Sequence, residues 1–187
     1  YILGGAQTDF AKDYTNENKS ITDLFKEITQ LGLSSTGIEI SEIEKLRDEN
    51  RIEIFVGNFA SELFIKQGHL GPFLTEVNDA FIGIPAGRYE AACASSTLAV
   101  SVANSRIKAG EIDLAIVVGA EIMRNVTPLV ANDYLATCAD YATEGKDVRF
   151  FYPRMFGYLT DEALKRHPEV GDERLKANFM EISLKNR

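Results

Sequence analysis

Apolar positions change their spacing several times along the chain, and each change marks a boundary. Ile21, Leu24, Phe25, Ile28 and Leu31 recur at helical spacing. Ser20 precedes them with Asp23 three residues on, the signature of a capping box, and Gly32 is the expected stop. A shorter, more charged helical stretch covers residues 41–49, with Ile43 and Leu46 as its apolar side. Strand-like runs occupy residues 1–3 before Gly4-Gly5, residues 52–56 before Gly57, and residues 88–92 leading into Cys93. Residues 60–67 have helical character. Gly68-His69-Leu70-Gly71-Pro72 reads as a turn, and Gly83, Pro85 and Gly87 interrupt the approach to the third strand. From Ser95 onward Leu98, Ala99, Val102, Ala103 and Ile107 form one helix face, closed by Gly110. Leu114-Ala115-Ile116-Val117-Val118 is then apolar at every position, the pattern of a central strand covered by helices on both faces. The order β-α-β-α-β-α-β predicts an α/β layered fold with a mostly parallel sheet flanked by helices.

Beyond residue 121 the alternation stops. Pro128, Gly145 and Pro153 break the pattern, and two helical stretches follow at about residues 156–167 and 172–186. Residues 1–121 are therefore expected to form the α/β domain, and residues 122–187 a lid or insertion with no parallel sheet of its own. No internal repeat or low-complexity tract interrupts either part.

Charge narrows the function classes. The 187 residues carry 20 basic against 28 acidic side chains, a formal charge of −8. That balance opposes the counterion release that drives binding to phosphate backbones, so nucleic acid is not an expected partner. The longest apolar run, residues 114–120, falls far short of the ~20 residues that cross a bilayer. A soluble protein without a membrane anchor is expected. The two cysteines are too few for a disulfide framework and have no metal-ligand spacing, so a reducing, cytoplasmic setting and no metal site are expected. The chain opens on Tyr1 with no signal-like segment, and it is expected to start inside its gene.

The position with chemical potential is Cys93, in Tyr89-Glu90-Ala91-Ala92-Cys93-Ala94-Ser95-Ser96-Thr97. It falls where a strand meets a helix N-terminus. Unpaired amides and the helix dipole there favour an anion, whether a thiolate or a developing oxyanion. Small neighbours would let a substrate carbonyl approach closely. Spacing alone still favours the plainer assignment of Cys93 as a small buried hydrophobe. Cys138 has no comparable setting and reads as packing, with a Cys93–Cys138 disulfide left open. His69 follows Gly68 and His167 precedes Pro168, and neither is an obvious proton acceptor for a catalytic thiol. Gly4-Gly5 lacks dinucleotide-binding spacing and no phosphate-loop motif occurs. The acidic stretch 39–53 and the basic residues Lys165, Arg166, Arg174, Lys176, Lys185 and Arg187 read as ordinary surface, although the basic set could meet a ligand's phosphate.

The nucleophile string, the helix after it, and Asp113-Leu114-Ala115-Ile116-Val117-Val118-Gly119-Ala120-Glu121-Ile122-Met123 together resemble the N-terminal half of the thiolase superfamily, its sterol-carrier-protein-type branch in particular. The resemblance reverses the assignment of Cys93. It implies a nucleophile that attacks an acyl-CoA thioester and holds the acyl group, with its own amide in an oxyanion hole. It also implies thiolysis of 3-ketoacyl-CoA or Claisen condensation, coenzyme A as substrate, and no permanently bound cofactor. Pro153-Arg154-Met155-Phe156-Gly157-Tyr158 resembles the start of the helical loop domain that lies over the site and helps hold coenzyme A. By that match Met155 and Phe156 line the acyl pocket and Met123 lies near it. Ser96 stands where many relatives have Gly, a mild steric change.

The same resemblance implies that a catalytic histidine and an acid/base cysteine reside in a C-terminal half whose motifs are absent here. The 187 residues alone are then expected not to turn over, and to leave an apolar face uncovered. A homodimer paired through the strand at residues 88–92 is expected. Two other readings remain: a ketoacyl-synthase-like condensing enzyme using the same cysteine, and a non-catalytic subunit that binds coenzyme A or scaffolds a partner.

Overall fold

A computed structural model describes residues 1–186; Arg187, one of the basic positions noted above, lies outside the described residues. Its sheet is built around β1 (Ile52–Gly57), whose alternate side chains enter two separate cores. Ile52, Ile54 and Val56 point to one face, where α1 (Ile21–Thr36) and α2 (Ile40–Asp48) bring Leu24, Phe25 and Ile43. Two 3₁₀ turns, Gly71–Glu76 and Asp79–Phe81, add Leu74 and Phe81 to that layer. A short α3 (Ser61–Phe64) follows β1 in the chain. On the opposite face Phe55 meets Ala99 and Ala103 of α4 (Ser95–Lys108), whose small side chains let helix and sheet approach closely. Phe55 is fully buried and stacks on Tyr89 at 5.6 Å. Phe55→Ala is therefore expected to lower the unfolding free energy by about 3–4 kcal/mol, read from urea titration.

Both neighbours of β1 run parallel to it: β2 (Ala86–Tyr89) on one side and β3 (Leu114–Gly119) on the other. The register sets Gly57 level with Tyr89 and with Gly119. At the opposite end Arg51 clamps β1 to β3, donating to both carboxylate oxygens of Asp113 at 2.7 and 2.9 Å and to the Gly110 carbonyl at 2.6 Å.

Several expectations are corrected. Residues 1–3 form no strand and lie exposed, because nothing among the described residues supplies the ladder a strand requires. The sheet accordingly has three described strands rather than four. Leu114–Gly119 is not central: its residues are apolar toward both faces, yet it occupies the sheet edge while β1 holds the middle. The strand expected at residues 88–92 is Ala86–Tyr89, with Glu90 and the residues after it already in the turn. Gly32 does not stop α1, which continues to Gly37, the residue that takes the left-handed φ of 70°. The helical character read over residues 60–67 condenses to the four residues of α3.

The regular elements after β3 are all helical among the described residues. Pro128, read as a breaker, opens α5 (Pro128–Ala136), with Thr127 as N-cap accepting from the Val130 amide at 3.4 Å. Proline at the first helical position loses no hydrogen bond. For the same reason Pro153 is accommodated in the first turn of α6 (Phe151–Arg166), which starts five residues ahead of the expected boundary. α7 (Asp172–Lys185) follows. The α5 ring of Tyr134 packs edge-on to Phe64 at 5.2 Å, and the Asn125 amide donates to the Phe64 carbonyl, tying this segment to α3. α6 and α7 leave Phe156, Leu159, Phe179 and Met180 exposed.

Candidate active site

Parallel strands end at the same edge, so the loops after β1, β2 and β3 converge. Side chains pin them together. Asn58, buried at the end of β1, donates to the Ala120 carbonyl at 2.8 Å and accepts from the Ser61 amide at 3.2 Å. Glu121, two residues past β3, accepts from the Phe59 amide at 2.8 Å and the Ala60 amide at 3.4 Å. Arg88 of β2 donates to the Phe59 carbonyl at 3.2 Å and pairs with Glu62. Each strand end is thus fastened to the next by at least one side-chain hydrogen bond.

Cys93 sits in a 3₁₀ turn, Ala92–Ala94, between β2 and the first turn of α4. The turn is tight enough to force Ala92 to a φ of 49°, a conformation that costs a non-glycine residue about 1–2 kcal/mol. Two side chains hold it there. Glu90 accepts from the Ala92 amide at 2.6 Å. The buried Ser95 hydroxyl donates to the Ala92 carbonyl at 2.7 Å and accepts from the Ala91 amide at 3.0 Å. The Cys93 amide has no acceptor among the described residues, and the thiol is free and exposed.

Beneath the turn lies a glycine floor. A Cβ on Gly57 would come within 2.6 Å of the Ser96 Cα, and one on Gly119 within 2.5 Å of its Oγ. The two strands flanking Ser96 end in glycine at matched register, which is what allows the helix N-terminus to rest on them. Above this floor opens a cavity of about 550 Å³ lined by Cys93, Ser96, Phe59, Glu121 and Met123, with Lys12 and Tyr14 contributed by the N-terminal segment.

Of the residues expected at the site, Cys93 and Met123 share this cavity. Met155 and Phe156 do not line it: both lie on α6, and Phe156 faces a separate groove beside Leu175 and Phe179 of α7. The α6 residue that approaches the thiols is Tyr152, whose phenol is pushed up to about 12, first by the neighbouring Cys138 side chain, then by burial, with Cys93 adding to it. Cys138 lines an adjoining cavity that shares Phe59 and Ala92 with the first. Neither histidine reaches either cavity; His167 instead lies 3.1 Å from Glu169 on the surface. Among the described residues no group of three His, Cys, Asp or Glu side chains is placed to hold a metal, and no helix is long and apolar enough to cross a membrane.

Sequence reasoning missed the fasteners Asn58, Glu90, Ser95 and Glu121. Glu90 and Ser95 lay within the string around Cys93 and Glu121 within Gly119-Ala120-Glu121-Ile122-Met123, but none of their roles was legible, and Asn58 gave no signal. Burial raises the Glu121 pKa above the ordinary glutamate value, opposed by the Phe59 and Ala60 amides, Asn58 and Arg88. The native state then keeps a proton that the unfolded chain has already released, so this group's contribution falls as pH rises from the ordinary glutamate value through the raised one. The stability difference between wild type and Glu121→Gln is expected to decline as pH rises from the ordinary glutamate value through the raised one. A difference that stays flat or rises in paired urea titrations contradicts the assignment.

These features define an α/β domain with a cysteine turn at the carboxyl edge of a parallel sheet. A family model described as thiolase, N-terminal domain, matches residues 1–151, and the chain belongs to the thiolase family. An acetyl-CoA acetyltransferase of Methanothermobacter thermautotrophicus is 29% identical over 133 residues, covering 70% of this chain and 32% of the relative. The acetyl-CoA acetyltransferase of Methanocaldococcus jannaschii is 31% identical over 125 residues, covering 67% and 29%. The chain spans about a third of the length of these curated relatives.

Proposed function

We propose that this chain is the nucleophile-bearing part of a thiolase-type acyltransferase acting on acyl-CoA. The Cys93 thiolate attacks the thioester carbonyl carbon, the new C–S bond forms, and the tetrahedral oxyanion collapses with departure of the coenzyme A thiolate. The acyl group then passes from Cys93 to a coenzyme A-bound carbanion in condensation. In the reverse direction, cleavage of a 3-ketoacyl-CoA leaves it on Cys93 for release by free coenzyme A. The observation that carries this reading is an exposed thiol, with an unpaired amide of its own, in a strained turn above the shared cavity. That amide is left available as an oxyanion donor once a carbonyl is bound.

No histidine lines the cavity, and both Glu121 oxygens are occupied by backbone amides. The likeness to thiolases assigns the proton acceptor and an acid/base cysteine to sequence outside residues 1–186, in which case this segment alone accepts an acyl group without turning over. Coenzyme A enters as substrate and no resident cofactor is needed. Residues 1–121 form the sheet domain of this reading and residues 122–187 the beginning of the loop domain, with Met155 and Phe156 assigned to the acyl pocket by the likeness to thiolases alone. The outer edge of β2 is unpaired among the described residues, which supports a homodimer joined through this strand. Two free thiols suit a reducing, cytoplasmic compartment.

The test is intact mass of the full-length protein after incubation with acetyl-CoA and longer acyl-CoAs, followed by peptide mapping. An acyl adduct on the peptide containing Cys93 is expected. Its absence with every donor would make the chain a non-catalytic subunit that binds coenzyme A or scaffolds a partner.

A further inference from the structure

One wall of the Cys93 cavity is made by residues 8–15, which have no strand or helix bonds to hold them, only turns. Two side chains of this wall converge on one carboxylate. Lys12 Nζ donates to Glu27 Oε1 at 2.5 Å, and the Tyr14 hydroxyl donates to Glu27 Oε2 at 3.0 Å. Glu27 does not line the cavity itself, but it lies on α1 one turn beyond Leu24, which does. Tyr14 is buried, with the Lys19 ammonium 5.7 Å above its ring. The wall's other attachment is looser: Asp13 stands 3.9 Å from Arg124 in the segment after β3. Lys12 and then Tyr14 hold Glu27 below the ordinary carboxylate range, and Glu27 in turn raises Lys12, so the pair stays ionised around neutral pH.

We propose that Glu27 is a positioning residue for the Cys93 site: by fixing Lys12 and Tyr14 it keeps the 8–15 wall in place beside the cavity and limits the width of molecule that reaches the thiol from that side. This rests on the reading of Cys93 as the reacting nucleophile. A carboxylate is needed because two donors must be accepted at two oxygens; an amide offers one acceptor and turns a donor toward the other partner. The effect runs through the wall, since Glu27 touches neither Cys93 nor the cavity.

The readout is the rate of Cys93 alkylation by a small reagent, iodoacetamide, against a bulky maleimide, followed by mass on the peptide that contains Cys93, in full-length protein carrying Cys138→Ser. Glu27→Ala is expected to raise the bulky-to-small ratio about tenfold by opening the wall locally, and Glu27→Gln to raise it less. Lys12→Met combined with Tyr14→Phe removes the same bonds from the other side and is expected to reproduce the change, which keeps the test open if Glu27→Ala does not fold. Lys26→Ala, on the outer face of α1, is the control for general loosening. An unchanged ratio in folded Glu27→Ala, or an equal rise in Lys26→Ala, overturns the proposal. Alkylation requires no acyl transfer, so that result leaves the acyl-enzyme reading standing. Failure of wild-type Cys93 to acquire an acyl group would instead sink that reading whatever the ratio shows.

Discussion

Cys93→Ala in the full-length protein is expected to abolish acyl-enzyme formation and to lower acyl transfer by about 10⁴-fold or more, the scale of loss when a covalent nucleophile is removed. Cys93→Ser is expected to fall nearly as far, because a serine hydroxyl at neutral pH is a far weaker nucleophile than a thiolate. Neither change should disturb the fold. The side chain is exposed, and the strained turn is held by Glu90 and Ser95 rather than by the thiol. Unfolding free energies are therefore expected within about 0.5 kcal/mol of wild type. Cys138→Ser separates the two thiols: it should keep the adduct, since Cys138 lines the neighbouring cavity with no helix N-terminus beneath it. An adduct that survives Cys93→Ala but disappears in Cys138→Ser would reverse the assignment.

The parts of this site that could be read in the sequence are those with local signatures. The cysteine at the strand-to-helix junction, the small residues around it and the helix face of Ala99 and Ala103 all follow from spacing within a dozen residues. The capping box at Ser20 and Asp23 is likewise local, and both of its bonds are present. What escaped depends on partners far along the chain. Whether residues 114–118 make a central or an edge strand is decided by which strands pair, and apolar residues on two faces fit either place. Glu121 and Asn58 acquire their roles from amides and carbonyls 61 or 62 residues away. Pro128 illustrates a different failure: the residue that interrupts a helix also begins one, and position alone separates the two.

Gly57→Ala is expected to destabilise the protein by about 2–3 kcal/mol and to slow acylation of Cys93 by about a hundredfold. Gly57 needs no glycine for its backbone, because its φ is not positive. Its need is space. An alanine Cβ would stand 2.6 Å from the Ser96 Cα and 2.7 Å from the Ser96 nitrogen, atoms fixed in the first turn of α4. Relief requires the helix to lift from the sheet by roughly an ångström, against the packing of Ala99 and Ala103 on Phe55. The same lift carries Cys93, three residues earlier, away from its place above the cavity. Gly119→Ala looks equivalent in sequence but differs physically, because its Cβ would meet mainly the Ser96 Oγ, at 2.5 Å, with the Ser96 Cβ at 3.6 Å. Removing that hydroxyl should cure one clash and not the other. Gly119→Ala combined with Ser96→Gly is expected to regain most of its stability and acylation rate, whereas Gly57→Ala combined with Ser96→Gly stays impaired because the backbone contacts persist. Thermal unfolding and acyl-adduct kinetics on the four variants read both effects; equal rescue of the two glycine substitutions would mean that the helix backbone yields more easily than its packing implies.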